Sequence, residues 1–338
     1  MKKNHIILIG SLFSVLFVSN LIIPILIPNS TISFLFDTSC RTNSEKTLYS
    51  LKKIDPIYPF YAMRYYGDYG FLDVLENGTE LISEFEVQEG WGCTCFSALN
   101  SSSDPVFGRN FDWMDEGSLF LYTEPSYGYA SISTINLGIL GIEPSINIKD
   151  PTTQKRLLLT PYYLMDGINE MGLVVGIMAI SRASRTYNTS QPTISSLDIV
   201  RLALEFATTV DEVLVIWENY NIEFGSVPIH YLIADPTGKS AIVEWIDGNM
   251  NIYRNEQSWQ VSTNFIFTDG ITPCWRYQTA TELLHQSLGS VTMQHGMDIL
   301  KACSQDGWTL WSNVYNLRTR QVHISVNQNY QKIYRFHF

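Results

Sequence analysis

The order in which strand-like and helix-like stretches follow one another is the strongest constraint on how this chain can fold. Short strands with turn signals come first after residue 92: residues 93–98, a Ser101-Ser-Ser-Asp-Pro105 turn, and residues 106–110, which together predict a hairpin. A further β run covers 119–137, and another covers 173–180, preceded by Asp166-Gly-Ile-Asn-Glu-Met-Gly172, which reads as a turn. Apolar residues then take up helical spacing over 196–208 (Ile199, Leu202, Leu204, Phe206), and the pattern repeats over 210–220. Strands resume at 230–234 and 241–245 around Asp235-Pro-Thr-Gly238, followed by 251–254 and 260–263. Two helices, 275–287 and 291–303, precede a final meander through 309–315, 321–326 and 332–338. Strands and helices in blocks, not in alternation, imply an α+β fold with mostly antiparallel sheets and not a βαβ repeat. There is no internal repeat and no low-complexity tract.

Composition narrows the class. The chain has 338 residues, 45% of them hydrophobic and 16% charged, enough for a large core in one sizeable domain or two modest ones. A formal net charge of −11, with no basic run longer than two residues, argues against a nucleic-acid partner, because phosphate binding needs a basic face. Residues 6–28 are almost wholly apolar and follow Lys2 and Lys3, which the positive-inside rule keeps in the cytoplasm. The remainder is therefore expected to be extracytoplasmic, secreted or anchored to the outer membrane face. Residues 1–29 are read as a signal peptide or membrane anchor, with the absence of an Ala-x-Ala-like site favouring the anchor. Residues 30–92, polar and aromatic with no sustained period, read as a leader or pro-segment; 93–338 is the working domain.

The chain lacks a Gly-x-Ser-x-Gly elbow, a His-Glu-x-x-His pair, paired Cys-x-x-Cys motifs and a phosphate-binding glycine loop. The six histidines are scattered and form no ligand pattern, so neither a metal nor a Cys–His dyad is indicated. Five cysteines (Cys40, Cys93, Cys95, Cys274, Cys303) in an exported chain leave at least one unpaired within it. What stands out is Trp91-Gly-Cys-Thr-Cys-Phe96 followed by Gly108-Arg-Asn-Phe-Asp-Trp113, where a hairpin would return Arg109 and Asp112 towards Cys93. A thiol at a chain start can use its own α-amine as base, since the amine titrates at about 8 and the thiol at about 8.5. A guanidinium favours thiolate, and a carboxylate orients the amine.

These residues resemble the choloylglycine hydrolase and penicillin V acylase group of linear amide C–N hydrolases, within the N-terminal-nucleophile superfamily; isopenicillin N acyltransferases are more distant relatives. The resemblance covers most of 92–338 and is carried by Gly92-Cys-Thr, Gly108-Arg-Asn-Phe-Asp-Trp and Asp166-Gly-Ile-Asn-Glu-Met-Gly-Leu. It implies a four-layer αββα sandwich. It also implies Cys93 as nucleophile, Arg109 as its electrostatic partner, Asp112 as the residue that binds the freed amine, Asn264 as an oxyanion donor and Arg276 as a second active-site arginine. One departure is Met178, where bile-salt hydrolases carry asparagine and penicillin acylases tyrosine; it removes a polar contact and puts both substrates in doubt.

Each residue also has a structural reading. Cys93 is otherwise a buried thiol or a disulfide partner of Cys95 or Cys274, and Cys95 is the rival nucleophile, its side chain pointing the same way two residues along a strand. Arg109 and Asp112 would make a hairpin ion pair, Asn264 a turn cap, and Arg276 a solvated residue at a helix start. Asp166-Gly-Ile-Asn-Glu-Met-Gly reads as structural. The functional expectation is a hydrolase cleaving a linear amide of a small N-acyl compound through Cys93, exposed when the Gly92–Cys93 bond is cut, with no cofactor. The alternatives are an acyltransferase using the same cysteine and a non-catalytic surface binding protein; a homo-oligomer is left open.

Overall fold

The computed structural model describes residues 42–78, 92–114, 117–184, 187–270 and 273–338. The apolar segment 6–28, Cys40 and Trp91 lie outside the described residues. Among the described residues no helix is long and apolar enough to cross a membrane.

Two sheets carry the molecule. One has six strands in the order β14-β3-β4-β15-β16-β17: β3 is Gly92–Ala98, β4 Val106–Asp112, β14 Trp259–Ser262, β15 Thr309–Asn316, β16 Val322–Val326 and β17 Tyr334–Phe336. Every pair in it is antiparallel. The other has nine strands in the order β1-β2-β5-β6-β7-β8-β11-β12-β13. Its strands are β1 Lys52–Lys53, β2 Phe60–Arg64, β5 Ser118–Thr123, β6 Ser131–Asn136, β7 Asp166–Asn169, β8 Val174–Ala179, β11 Ile229–Ala234, β12 Ser240–Ile246 and β13 Asn249–Arg254. Only β2 and β5 run parallel in this sheet. The sheets pack face to face, with β3 against β8, and helices cover the outer faces. Helices α6 (Trp275–Gln286) and α7 (Met293–Ala302) lie on the six-stranded sheet, and α4 (Asp198–Phe206) lies on the nine-stranded one. The result is the αββα sandwich that the family resemblance implies, and it agrees with the α+β, mostly antiparallel reading of the pattern.

Strand β3 is buried on both faces, which is why Gly92–Ala98 shows no polar alternation. Cys93, Cys95 and Phe107 belong to the core between the sheets, whereas Phe96, Ala98 and Val106 belong to a second core under α6 and α7. The period of two along β3 therefore sets Cys93 and Cys95 on the inter-sheet face.

Two parts of the chain differ from the sequence reading. Asp166-Gly-Ile-Asn169, read as a turn, is strand β7 in the middle of the nine-stranded sheet; the turn is confined to Glu170 and Met171. Turn-type residues stand in this strand because each is satisfied there. Asn169 donates to the carbonyls of Leu204 and Ala207 at 3.0 and 2.7 Å. At Gly167 a Cβ would lie 2.5 Å from Ser133 Oγ on β6 and 2.8 Å from Leu204 Cδ1 on α4, so glycine lets β6 and α4 come this close. The stretch 42–78, which has no sustained period, also has regular structure: helix α1 (Asn43–Ser50), strands β1 and β2, and helix α2 (Phe71–Asn77). Helix α1 begins with a Thr42/Glu45 capping box, and Phe60, Ala62, Met63 and Phe71 are fully buried.

Candidate active site

Strand β3 runs beside β4, with Gly92 opposite Asp112, Cys93 opposite Phe111 and Cys95 opposite Arg109. Arg109 and Asp112 are three residues apart on one strand and so project from opposite faces. Arg109 enters the inter-sheet core, where its Nη2 lies 3.7 Å from Cys93 Sγ. Its Nη1 donates to the carbonyl of Met165, and its Nε lies 3.2 Å from Asp166 Oδ2. Burial works against the guanidinium's charge, but Asp166 and the nearby thiols hold its pKa above the ordinary value. Asp112 turns towards α6 and α7 instead, accepting from Thr309 Oγ1 at 2.6 Å and Gln305 Nε2 at 2.7 Å. Burial raises its carboxyl to about 6, against those two hydrogen bonds and the Arg276 guanidinium 3.8 Å away.

The sulfur and the nitrogen of Cys93 thus have different surroundings. The sulfur is 4% exposed with its residue, and burial pushes the thiol up in spite of Arg109. The Cys93 backbone N–H donates to Asn264 Oδ1 at 2.6 Å. Asn264 lies two residues beyond the end of β14, and its Nδ2 donates to the carbonyl of Ala179 at 2.8 Å. Arg276 Nη1 donates to Asn264 Oδ1 at 3.2 Å and to the carbonyl of Cys93. Two donors on Oδ1 and a carbonyl on Nδ2 fix which way the amide faces, and they leave one Asn264 N–H uncommitted.

Gly92 is required by close approach. A Cβ on it would sit 2.4 Å from Gln305 Nε2 and 3.0 Å from Arg276 Nη2, the two groups that flank Asp112. The residue before the cysteine is therefore pressed against the side chains that hold the aspartate.

All five residues singled out in the sequence, Cys93, Arg109, Asp112, Asn264 and Arg276, meet here. Arg276 is 7% exposed and bonded into the site, not solvated at a helix start. Arg109 and Asp112 do not pair with each other. Cys93, Cys95, Cys274 and Cys303 are free thiols, so neither disulfide considered for Cys93 forms. Cys95 shares the inter-sheet face but is fully buried, and burial pushes its thiol far up. Met178 is fully buried on β8, two residues from Gly176, where a Cβ would lie 3.1 Å from Cys95 Sγ. Sequence reading missed Asp166, Gln305 and Thr309. Asp166 accepts from Trp311 Nε1 at 3.1 Å, Asn313 Nδ2 at 2.7 Å and Tyr315 Oη, besides facing Arg109. An acidic residue in a segment read as a turn gave no hint of a partner in another sheet. Gln305 lies in the connection from α7 to β15 and Thr309 opens β15, and neither carries a motif.

The fold is an αββα sandwich of the N-terminal-nucleophile hydrolase type. Residues 93–297 match the linear amide C-N hydrolases, choloylglycine hydrolase family, and the chain belongs to that family. It is similar to penicillin V acylase of Pectobacterium atrosepticum, with 25% identity over 188 residues, 51% of this chain and 49% of that protein. The chain thus aligns with about half the length of that curated relative. Among solved structures it is similar to penicillin V acylase from Agrobacterium tumefaciens, with a TM-score of 0.51 at 18% identity, covering 69% of this chain and 83% of the other. A variant of conjugated bile acid hydrolase from Clostridium perfringens superposes with a TM-score of 0.56 at 15% identity, covering 72% and 92%. At these identities the likeness is one of fold.

Proposed function

We propose that this protein hydrolyses the amide bond of a small N-acyl compound through Cys93, acting as an N-terminal nucleophile after the Gly92–Cys93 bond is cut. The observation that carries the reading is the convergence of Arg109 on the Cys93 sulfur and of Asn264 and Arg276 on its main chain. In the cut, Cys93 Sγ attacks the Gly92 carbonyl carbon and the C–N bond breaks. The Cys93 amine is released and Gly92 is left as a thioester, which water hydrolyses to a carboxylate. The pairing of Gly92 with Asp112 across β3 and β4 supports the reading that, once Gly92 is gone, this carboxylate holds the Cys93 amine as an ammonium.

In turnover the free amine takes the thiol proton, and the thiolate, favoured by Arg109, attacks the substrate carbonyl. The uncommitted N–H of Asn264 stabilises the tetrahedral oxyanion, a contribution of about 3 kcal/mol for one such donor. The amine protonates the departing nitrogen and then activates the water that hydrolyses the acyl-thioester. Met178 offers no hydrogen bond at the position where the named relatives' families carry a polar residue, so the substrate's acyl side is read as apolar.

Intact-mass measurement of purified protein checks the reading. Wild type is expected to yield a chain beginning at Cys93, and Cys93→Ala to remain uncut and without amidase activity. A wild-type chain that keeps Gly92 while hydrolysing N-acyl amides would refute it.

A further inference from the structure

A buried titratable pair that takes no part in this mechanism lies directly behind Asn264. His230 on β11 and Glu244 on β12 are both fully buried. His230 Nε2 is 2.8 Å from the carbonyl oxygen of Thr263 and 3.3 Å from Ser262 Oγ, and Nδ1 is 3.3 Å from Glu244 Oε2. Glu244 also accepts from the backbone N–H of Phe267 at 3.1 Å, from that of Thr268 at 2.7 Å and from Thr268 Oγ1 at 2.7 Å. The segment that leaves β14 is thus tied to the nine-stranded sheet at residue 263 by His230 and at 267–268 by Glu244, and Asn264 sits between the two ties.

We infer that His230 and Glu244 are positioning residues that hold the Asn264 carboxamide against Cys93. The Thr263 carbonyl and the Asn264 N–H belong to one planar peptide unit, so anchoring that oxygen fixes the plane from which the Asn264 side chain projects. A carbonyl can only accept, so His230 Nε2 carries the proton of this bond, while Nδ1 faces a Glu244 carboxylate oxygen at 3.3 Å. Glu244 collects three further donors and keeps that ring in place. The pair reaches the reacting atoms only through the peptide before Asn264, and the inference rests on the oxyanion role proposed for that residue.

A double-mutant cycle on the processed protein separates the two ideas. The readout is the burst of p-nitrophenol from p-nitrophenyl acetate, which reports attack of the Cys93 thiol on a carbonyl, giving an acylation rate and a half-saturating concentration. Asn264→Ala is expected to slow acylation by about 10²-fold to 10³-fold. His230→Gln is expected to slow it by about 10-fold to 100-fold with half-saturation changed less than about twofold, and Glu244→Gln to act in the same direction. Combined with Asn264→Ala, His230→Gln should add nothing. Losses that multiply would overturn the inference while leaving the oxyanion role intact. An unaffected Asn264→Ala, or a wild type with no burst, would remove that role and the inference with it. Should His230→Gln not fold, the same cycle is read with Glu244→Gln.

Discussion

At the residue scale, the odd spacing of Arg109 and Asp112 matters more than their nearness in sequence. An even spacing would have put both on one face of β4, where they would neutralise each other. Three apart, Arg109 reaches the Cys93 sulfur from the core, while Asp112 lies on the side of α6 and α7 among Thr309, Gln305 and Arg276, where under the proposed cut it would meet the new amine. The carboxyl of Asp112, raised to about 6 in the uncut chain, gives a pH signature. A carboxyl whose folded pKa lies above its unfolded value of 3.8 stabilises the fold below about 4 and loses that contribution as pH rises to about 6. Carbonyl-carbon NMR of the uncut Cys93→Ala chain should therefore show Asp112 titrating near 6. The mature wild type, with an ammonium beside it, should show a lower value. Gly92→Ala tests the close approach: its methyl must displace Gln305 and Arg276, and the cut, followed by mass spectrometry, should slow by about 10-fold to 100-fold. An unchanged rate would mean that the two side chains move aside without consequence.

At the element scale, the stretch before the proposed cut is locked onto strands that follow it. Strand β2 pairs in parallel with β5 from Phe60 opposite Ser118 to Arg64 opposite Tyr122. Asp55 accepts from the backbone N–H groups of Ile57 and Tyr58 at 2.8 Å, from Lys332 Nζ at 3.0 Å and from Tyr334 Oη at 2.5 Å. Burial alone would raise this carboxyl, but the hydrogen bonds outweigh it and hold it at about 2. Its contribution to stability is therefore complete above about 4 and lost as pH falls towards 2. Asp55→Ala strands Tyr334 Oη and two backbone donors, so an urea melt at pH 7 should show a loss of about 1–3 kcal/mol, much reduced at pH 2.5. Equal losses at both pH values would mean that packing, and not the charge, carries Asp55's contribution.

At the scale of the whole molecule, residues 42–78 lie on one side of the proposed cut and remain part of the same sheet and core. Phe60, Met63 and Phe71 are fully buried, and each large apolar side chain so placed contributes about 2 kcal/mol. Phe60 packs on Tyr334 and Phe336, with ring centroids 5.3 and 6.4 Å apart. After the cut, the fragment containing 42–78 should co-elute with the chain that begins at Cys93 in size-exclusion chromatography and part from it only in denaturant. Two separate native peaks would show that the contacts do not outlast the covalent link.

The positions of the β3–β4 hairpin, of the α4 region, of the β11–β12 hairpin and of the closing meander could be read from the sequence, because turn residues and apolar periods are local. Cys93, Arg109 and Asp112 could be read for the same reason, lying on two strands joined by one short turn. The roles of Asn264 and Arg276 rested on resemblance, since nothing local ties them to a cysteine more than 150 residues earlier. Only the tertiary structure made β7 a strand, because Asp166 and Asn169 find their partners on other elements, and only it gave the apparently patternless 42–78 its place. It also decided which face of β4 each charge occupies relative to α6 and α7, and it set His230 and Glu244 behind Asn264. Hydrogen bonds between distant strands leave no period in the chain that makes them, so their partners become visible only when the two sheets close on each other.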